Sequence, residues 1–139
     1  MSVHSETIKI DTNGDGHCSD ITSQLQECVA ASGLTEGVVT LFIAGSTAGL
    51  TTIEYEPGAV ADLDRLFQEI VPRNRDYRHH QTWGCDNGHS HVRACLIGPS
   101  LSLAVQDGTV PLGTWQQVVL LDFDTRSRSR QIAVNVIGE

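Results

Sequence analysis

The chain carries six histidines, and four of them, His79, His80, His89 and His91, fall within thirteen positions. Imidazole binds divalent metals through a neutral nitrogen and exchanges protons near neutral pH. In His89-Ser90-His91 two rings are separated by a single residue. Read as a strand, this stretch sends both side chains off one face, ~6–7 Å apart at the backbone. A third histidine from the preceding polar segment, which holds His79 and His80, then completes a three-nitrogen set with an open position. That is the ligand set of a catalytic divalent ion, zinc or magnesium, which activates water or polarises a substrate oxygen. The plainer reading of the same spacing is a group of solvated polar residues.

Other residues could work beside such a centre. Glu54 stands in an otherwise apolar and Thr-rich run, and a carboxylate buried there needs a partner. Arg75, Arg78 and Arg93 are the candidates for structural pairing; the alternative is that Glu54 or Asp62 acts as a general base or ligand. Asp62 and Asp64 would equally well complement a helix dipole. Gly45-Ser46-Thr47-Ala48-Gly49 is a small polar break after an apolar run, where backbone N–H groups can approach a phosphate or carboxylate. It has no P-loop lysine and no following helix, which excludes nucleotide binding of that type. Trp115 offers a flat wall, and Gln116 an amide that both donates and accepts. Arg126, Arg128 and Arg130 alternate with Ser, as an anion site or a solvated turn would. Asp11 to Gly16 imitates the start of a calcium loop, but the twelfth position is Thr22 rather than a bidentate Glu, so it reads as a turn.

The elements that must position these residues follow from periodicity. Thr7 to Asp11 alternates as a strand. Asp20 can cap a helix from Ile21 to about Ser32, with Gly33 as its stop. Val38–Ala44 and Leu50–Tyr55 are of strand length. Val60, Leu63, Leu66, Phe67 and Ile70 recur at helical spacing, and Pro72 ends that helix. Residues 73–88 form a long polar loop. Strand-like runs follow at His89–Ile97, Leu101–Val105, Trp115–Phe123 and Gln131–Ile137. The order βαββαββββ predicts an α+β fold: a largely antiparallel sheet or sandwich with two helices. The last strand carries little charge, so it must be paired, covered or buried between subunits.

The 139 residues are one domain's worth of chain, 40% hydrophobic and 19% charged. Nine basic against 17 acidic residues leave a net charge of −8. That acidity opposes binding to nucleic acid or anionic lipid. No apolar run reaches the ~20 residues of a membrane span. The first residues have neither a basic start nor an apolar block, so a cytoplasmic location is expected. Of the four cysteines none forms a CxxC pair; Cys28 and Cys95 are expected to be small buried hydrophobes.

The segment Ser100-Leu101-Ser102-Leu103-Ala104-Val105-Gln106-Asp107-Gly108, running on to Gly113-Thr114-Trp115-Gln116-Gln117-Val118, is similar to the signature of the YjbQ family. Gly45 to Glu54, Asp62, Pro72, Tyr77-Arg78-His79, Asn87 to His91 and Gly98-Pro99-Ser100 stand in the same order. The resemblance runs from about residue 6 to 139. It implies an α+β fold with a β-sandwich, a homotrimer, and a pocket in which His79 and His91 match recurrent family histidines. Glu54, Asp62, Trp115 and Gln116 match other polar or pocket-lining positions. Where many members carry His-Thr-Thr or His-Thr-Ser, this chain has Gly45-Ser46-Thr47. That change removes one potential ligand or acid/base, while His89 adds one.

The activity implied is that of a secondary thiamine-phosphate synthase, which joins a pyrimidine pyrophosphate to a thiazole phosphate and releases pyrophosphate. Such chemistry needs a cation to stabilise the leaving diphosphate and a cavity for a flat ring. The expected roles are therefore Glu54, Asp62 and Gln116 in catalysis, and Ser46, Thr47, Asn87 and Trp115 in substrate binding. His79, His89 and His91 would be the metal ligands. The alternatives are a metal-dependent hydrolase of a small phosphorylated or amide substrate, and a non-catalytic metal- or metabolite-binding trimer.

Overall fold

An unbroken apolar run, Val118 to Leu121, is the clue to the layering. A strand with no alternation is covered on both faces. In the computed structural model, which describes residues 1–139, this run lies in β6 (Gln116–Asp122). Strand β6 is the middle of a three-stranded antiparallel sheet, between β2 (His17–Asp20) and β4 (Ala48–Glu54). Val118 and Leu120 join the main core, whereas Val119 and Leu121 join a second, smaller one.

The other sheet has four antiparallel strands in the order β1 (Ser2–Thr12), β7 (Arg128–Gly138), β3 (Gly37–Ile43) and β5 (Ser100–Val105). Its inner face supplies Ile8, Val39, Leu41, Ile43, Ile132, Val134 and Val136 to the main core. Helix α1 (Thr22–Ser32) closes that core with Leu25, Cys28 and Val29. The Asp20 carboxylate accepts the Thr22 N–H at 2.9 Å, and Gly33 ends the helix in the left-handed conformation. Only a residue without a Cβ adopts that conformation at little cost. The smaller core fills the space between the three-stranded sheet and two helices. These are α2 (Pro57–Ile70), which contributes Phe67, and α4 (Gly88–Ile97), which contributes Ala94.

The α+β class and the antiparallel sheets agree with expectation, and the nearly uncharged last strand is paired on both edges, by β1 and β3. Three elements do not agree. His17–Asp20 forms a short strand that was not expected, between the Asp11–Gly16 turn and the first helix. Within the expected loop, residues Arg78–Trp83 form a helix, α3. Gly88–Ile97 is a helix, not a strand. The reason lies in its buried side. His89, Ser90, Arg93 and Ala94 are buried while Val92 and Leu96 are exposed. Much of the inward stripe is polar, so no apolar period of 3.6 marks the helix.

Helix α4 is held against β4 by close contact. A Cβ on Gly49 would fall 2.6 Å from Cγ2 of Ile97, well inside contact distance. The Gly98 carbonyl accepts the Leu50 N–H at 3.0 Å, and the Pro99 carbonyl accepts the Ile43 N–H at 2.9 Å. A Gly49→Val substitution is therefore expected to lift α4 from the sheet at a cost of about 1–3 kcal/mol. Thermal melts of the variant check this, and an unchanged midpoint would refute it.

Candidate functional site

Four of the six imidazoles are used by local structure. His4 bonds Glu6 at 2.9 Å on β1. His17 Nδ1 accepts the Asn13 N–H at 2.9 Å and closes the turn before β2. His80 Nε2 accepts the Gly88 N–H at 3.1 Å, satisfying a donor at the start of α4. His89 is 1% exposed, and its Nδ1 has no hydrogen-bond partner. Burial, and secondarily the nearby Arg93 and Arg73 charges, hold its pKa below the usual histidine value. It sits inside the fold as a neutral ring.

The remaining two meet. The rings of His79, on α3, and His91, on α4, are 4.5 Å apart between centroids, edge to face. His91 Nδ1 lies 3.0 Å from the Ser46 carbonyl oxygen. A carbonyl only accepts, so Nδ1 must carry the proton. The lone pair of the neutral ring is then on Nε2. Among structured proteins this is the usual way to fix one imidazole tautomer and leave the other nitrogen for a proton, a metal or a ligand.

The expected three-imidazole set does not form, because its premise was a strand. Residues two apart on an α-helix diverge by about 200°. His91 faces the Ser46 loop, and His89 faces the interior. No group of three or more His, Cys, Asp or Glu side chains is arranged to hold a metal ion. The donors that do converge, two imidazoles, fit a three-nitrogen metal centre only in part.

Beside this pair lies a cleft of about 220 Å³, formed by the loop between β3 and β4 and by one side of α4. Gly45, Ser46, His91, Cys95 and Pro99 are in its wall. Cys95 stands one helical turn after His91 and is exposed, contrary to the expectation of a buried cysteine. Cys28 is buried as expected, and burial pushes its thiol up to about 11, as it does that of Cys18. No cysteine is in a disulfide.

Under the loop runs a buried ionic network. Asp122 is fully buried and receives Arg130 through two parallel bonds, Nε–Oδ2 at 2.7 Å and Nη2–Oδ1 at 2.9 Å. Thr12 donates to Asp122 Oδ2 at 2.6 Å, and Arg130 Nη2 also donates to Thr47 Oγ1 at 2.8 Å. Arg128 pairs with the buried Asp124. Burial alone would raise the pKa of Asp122, but the bonds from Arg130, Thr12 and the Asp124 N–H outweigh it, so it lies below the usual aspartate value. Thr47 is thus part of the scaffold, while Ser46 fixes His91 through its carbonyl.

The residues expected to perform catalysis lie elsewhere on the chain. Glu54 and Gln116 face each other across β4 and β6, at the far end of β4 from Ala48. Seven residues of strand put the two ends roughly 20 Å apart. Gln116 is engaged locally, accepting the Gly113 N–H at 3.1 Å and donating to Thr52 Oγ1 at 3.2 Å. Asp62 is exposed on α2 and pairs with Arg65 at 3.0 Å. Trp115 is 72% exposed, and Asn87 accepts the Cys85 thiol at 3.1 Å. Arg93 does not reach Glu54. It is buried under α2, donating to the Val71 carbonyl at 3.0 Å with its guanidinium over the Phe67 ring.

Sequence reasoning passed over Asp122 and Asp124, although a signal was present. Two carboxylates at the end of an apolar strand cannot be buried without cations, and the arginines that answer them are in the alternating stretch that follows.

Comparison with known proteins agrees with this architecture. Residues 6–139 match the family described as UPF0047 protein YjbQ-like. A UPF0047 protein of Synechocystis is 34% identical over 138 residues, covering 98% of this chain and 92% of that one. One from Methanothermobacter thermautotrophicus is 30% identical, covering 100% of this chain and 95% of that one. The crystal structure of a protein of unknown function from Sulfolobus solfataricus superposes with a TM-score of 0.93 at 30% identity, covering 99% of each chain. A family member from Clostridium acetobutylicum gives 0.87 at 30% identity, covering 95% of this chain and 99% of that one. With its fold, its sequence and its solved relatives in accord, this chain belongs to the YjbQ-like UPF0047 family.

Proposed function

We propose that the chain is a small-molecule enzyme working at the His79–His91 cleft, with transfer of the thiamine-phosphate synthase type as its reaction. The observation that carries this is the Ser46-fixed tautomer of His91, which leaves Nε2 as a proton-exchanging nitrogen against a second imidazole. In the reaction the thiazole nitrogen attacks the pyrimidine methylene carbon. The carbon–oxygen bond breaks, and pyrophosphate departs with the bonding pair. A proton taken up at His91 Nε2 and offered to the leaving oxygen lowers that barrier by hydrogen bonding and charge. The test is formation of thiamine phosphate with equal release of pyrophosphate by purified protein. Release of inorganic phosphate from a small phosphate ester would favour a hydrolase, and binding without turnover a metabolite carrier.

A second reading gives the two imidazoles a divalent ion, zinc or magnesium, with ligand oxygens and water in the other positions. Its support is that the two rings are neighbours, 4.5 Å apart between centroids. Metal analysis of protein purified without a histidine tag decides between the two.

The homotrimer implied by the resemblance has support on the outer face of the four-stranded sheet. Val3, Ile137, Val38 and Ala104 form one cross-strand row, with Phe42 two rows further along the same face, beyond Thr40. All five are exposed in the single chain. Such a continuous apolar row is the mark of an interface. Sedimentation should give three times the chain mass, and Phe42→Glu should shift it toward one. A monomeric native protein would refute the assembly. No helix is long and apolar enough to cross a membrane. Four cysteines outside disulfides support the reducing cytoplasm as its location.

A further inference from the structure

The Asp122 carboxylate uses only one edge of the Arg130 guanidinium. Nε and Nη2 are both bonded to it, and Nη2 reaches Thr47 as well. Nη1 makes no hydrogen bond within the protein. It lies against Gly45, where an added Cβ would stand 3.1 Å away. Gly45 is in the wall of the cleft and has φ +143°, a conformation that side chains rarely adopt. The chain therefore places an oriented, charged pair of N–H donors beneath a bare stretch of backbone, at the margin of the imidazole cleft.

We propose that Arg130 Nη1, uncovered at Gly45, is an anion subsite that anchors a phosphoryl group of the ligand in the His79–His91 cleft. The proposal rests on reading that cleft as the ligand site and adds the group that recognises the ligand's charge.

Three features argue for it. The paired Asp122 holds the guanidinium in place, so a ligand oxygen meets a donor that loses little freedom on binding. The charges of Asp122 and Asp124 are balanced by Arg130 and Arg128, so the buried network does not present a net negative charge to an incoming anion. A side chain at Gly45 would press on Nη1, its Cβ 3.1 Å away, and crowd the donor. A phosphoryl group fits this donor better than a neutral ligand does, because charge-assisted bonds to guanidinium are roughly twice as strong as neutral ones.

The experiment uses the native full chain and inorganic phosphate as the probe, at constant ionic strength with chloride as the control salt. Nitrogen NMR of the arginine side chains should show the Arg130 signals moving with phosphate and not with chloride. Gly45→Ala, which covers Nη1 but keeps the Asp122 pair, should raise the phosphate Kd about tenfold or more, the cost of one charge-assisted bond. Arg130→Lys, which keeps the charge but replaces the forked guanidinium with a single nitrogen, should do the same. Thermal melts establish that each variant is folded, and the NMR arm needs no variant.

Phosphate that fails to bind the native protein, or binds without moving the Arg130 signals, would overturn the subsite. So would an unchanged Kd in both folded variants. Failure here is distinguishable from failure of the proposed enzyme, because loss of turnover in His91→Ala is scored on the synthase reaction and not on phosphate binding.

Discussion

Asp122→Ala is expected to be the most damaging single substitution, lowering stability by about 3–5 kcal/mol. The carboxylate is fully buried and holds two bonds from Arg130 and one from Thr12. Its removal leaves Arg130, largely buried, without its principal partner. Asp124, 3.9 Å from Arg130 Nη2, is already taken by Arg128 at 2.6 Å and does not replace it. A domain with only about 5–15 kcal/mol in total loses roughly a fifth or more of its margin. Denaturant titration of the variant checks this, and a loss under about 1 kcal/mol would contradict it.

The same group makes stability depend on acid. Asp122 and Asp124 both sit below the usual aspartate value of 3.8 when folded. A carboxylate depressed in this way binds protons more readily in the unfolded chain. Its contribution is complete above pH ~4 and is lost as pH falls below that and through the folded pKa. The native protein should therefore lose stability steeply below pH 4. In Asp122→Ala that slope should be shallower.

His91→Ala is expected to have the largest effect on activity, lowering kcat/KM of the synthase reaction by about 10²–10⁴-fold with little effect on the melting midpoint. His91 is partly exposed and lies on the cleft side of α4, so its loss leaves no buried void. His79→Ala should have a smaller effect, because that ring packs against His91. His4→Ala, on β1, is the control and should leave the rate unchanged. A rate for His91→Ala within about threefold of native would remove the imidazole from the reaction.

Much of the fold was legible because alternation and turn chemistry were sound in the strands, and because Gly33 and Pro72 end their helices in the ordinary way. Helix α4 was not legible, since its inward residues include His89, Ser90 and Arg93, and hydropathy does not register a polar stripe. That one error moved His89 from the fold's interior into a supposed metal site. The pairing of His79 with His91 was within reach, because family resemblance singled out those two positions. The exposure of Cys95 followed from the missed helix: on α4 it follows His91 by one turn into the cleft wall. Placement of Glu54 and Gln116 could not be read either, since strand length alone separates the two ends of β4, and only the sheet order shows which residues gather at each end.

The state of one imidazole decides the proposed site, and nitrogen NMR of the histidine rings reads it directly. The predicted spectrum shows His91 protonated at Nδ1 and bare at Nε2, with its signals moved by the pyrimidine pyrophosphate. A His91 ring carrying its proton on Nε2, or averaging between tautomers as a solvated imidazole does, would contradict the proposed site.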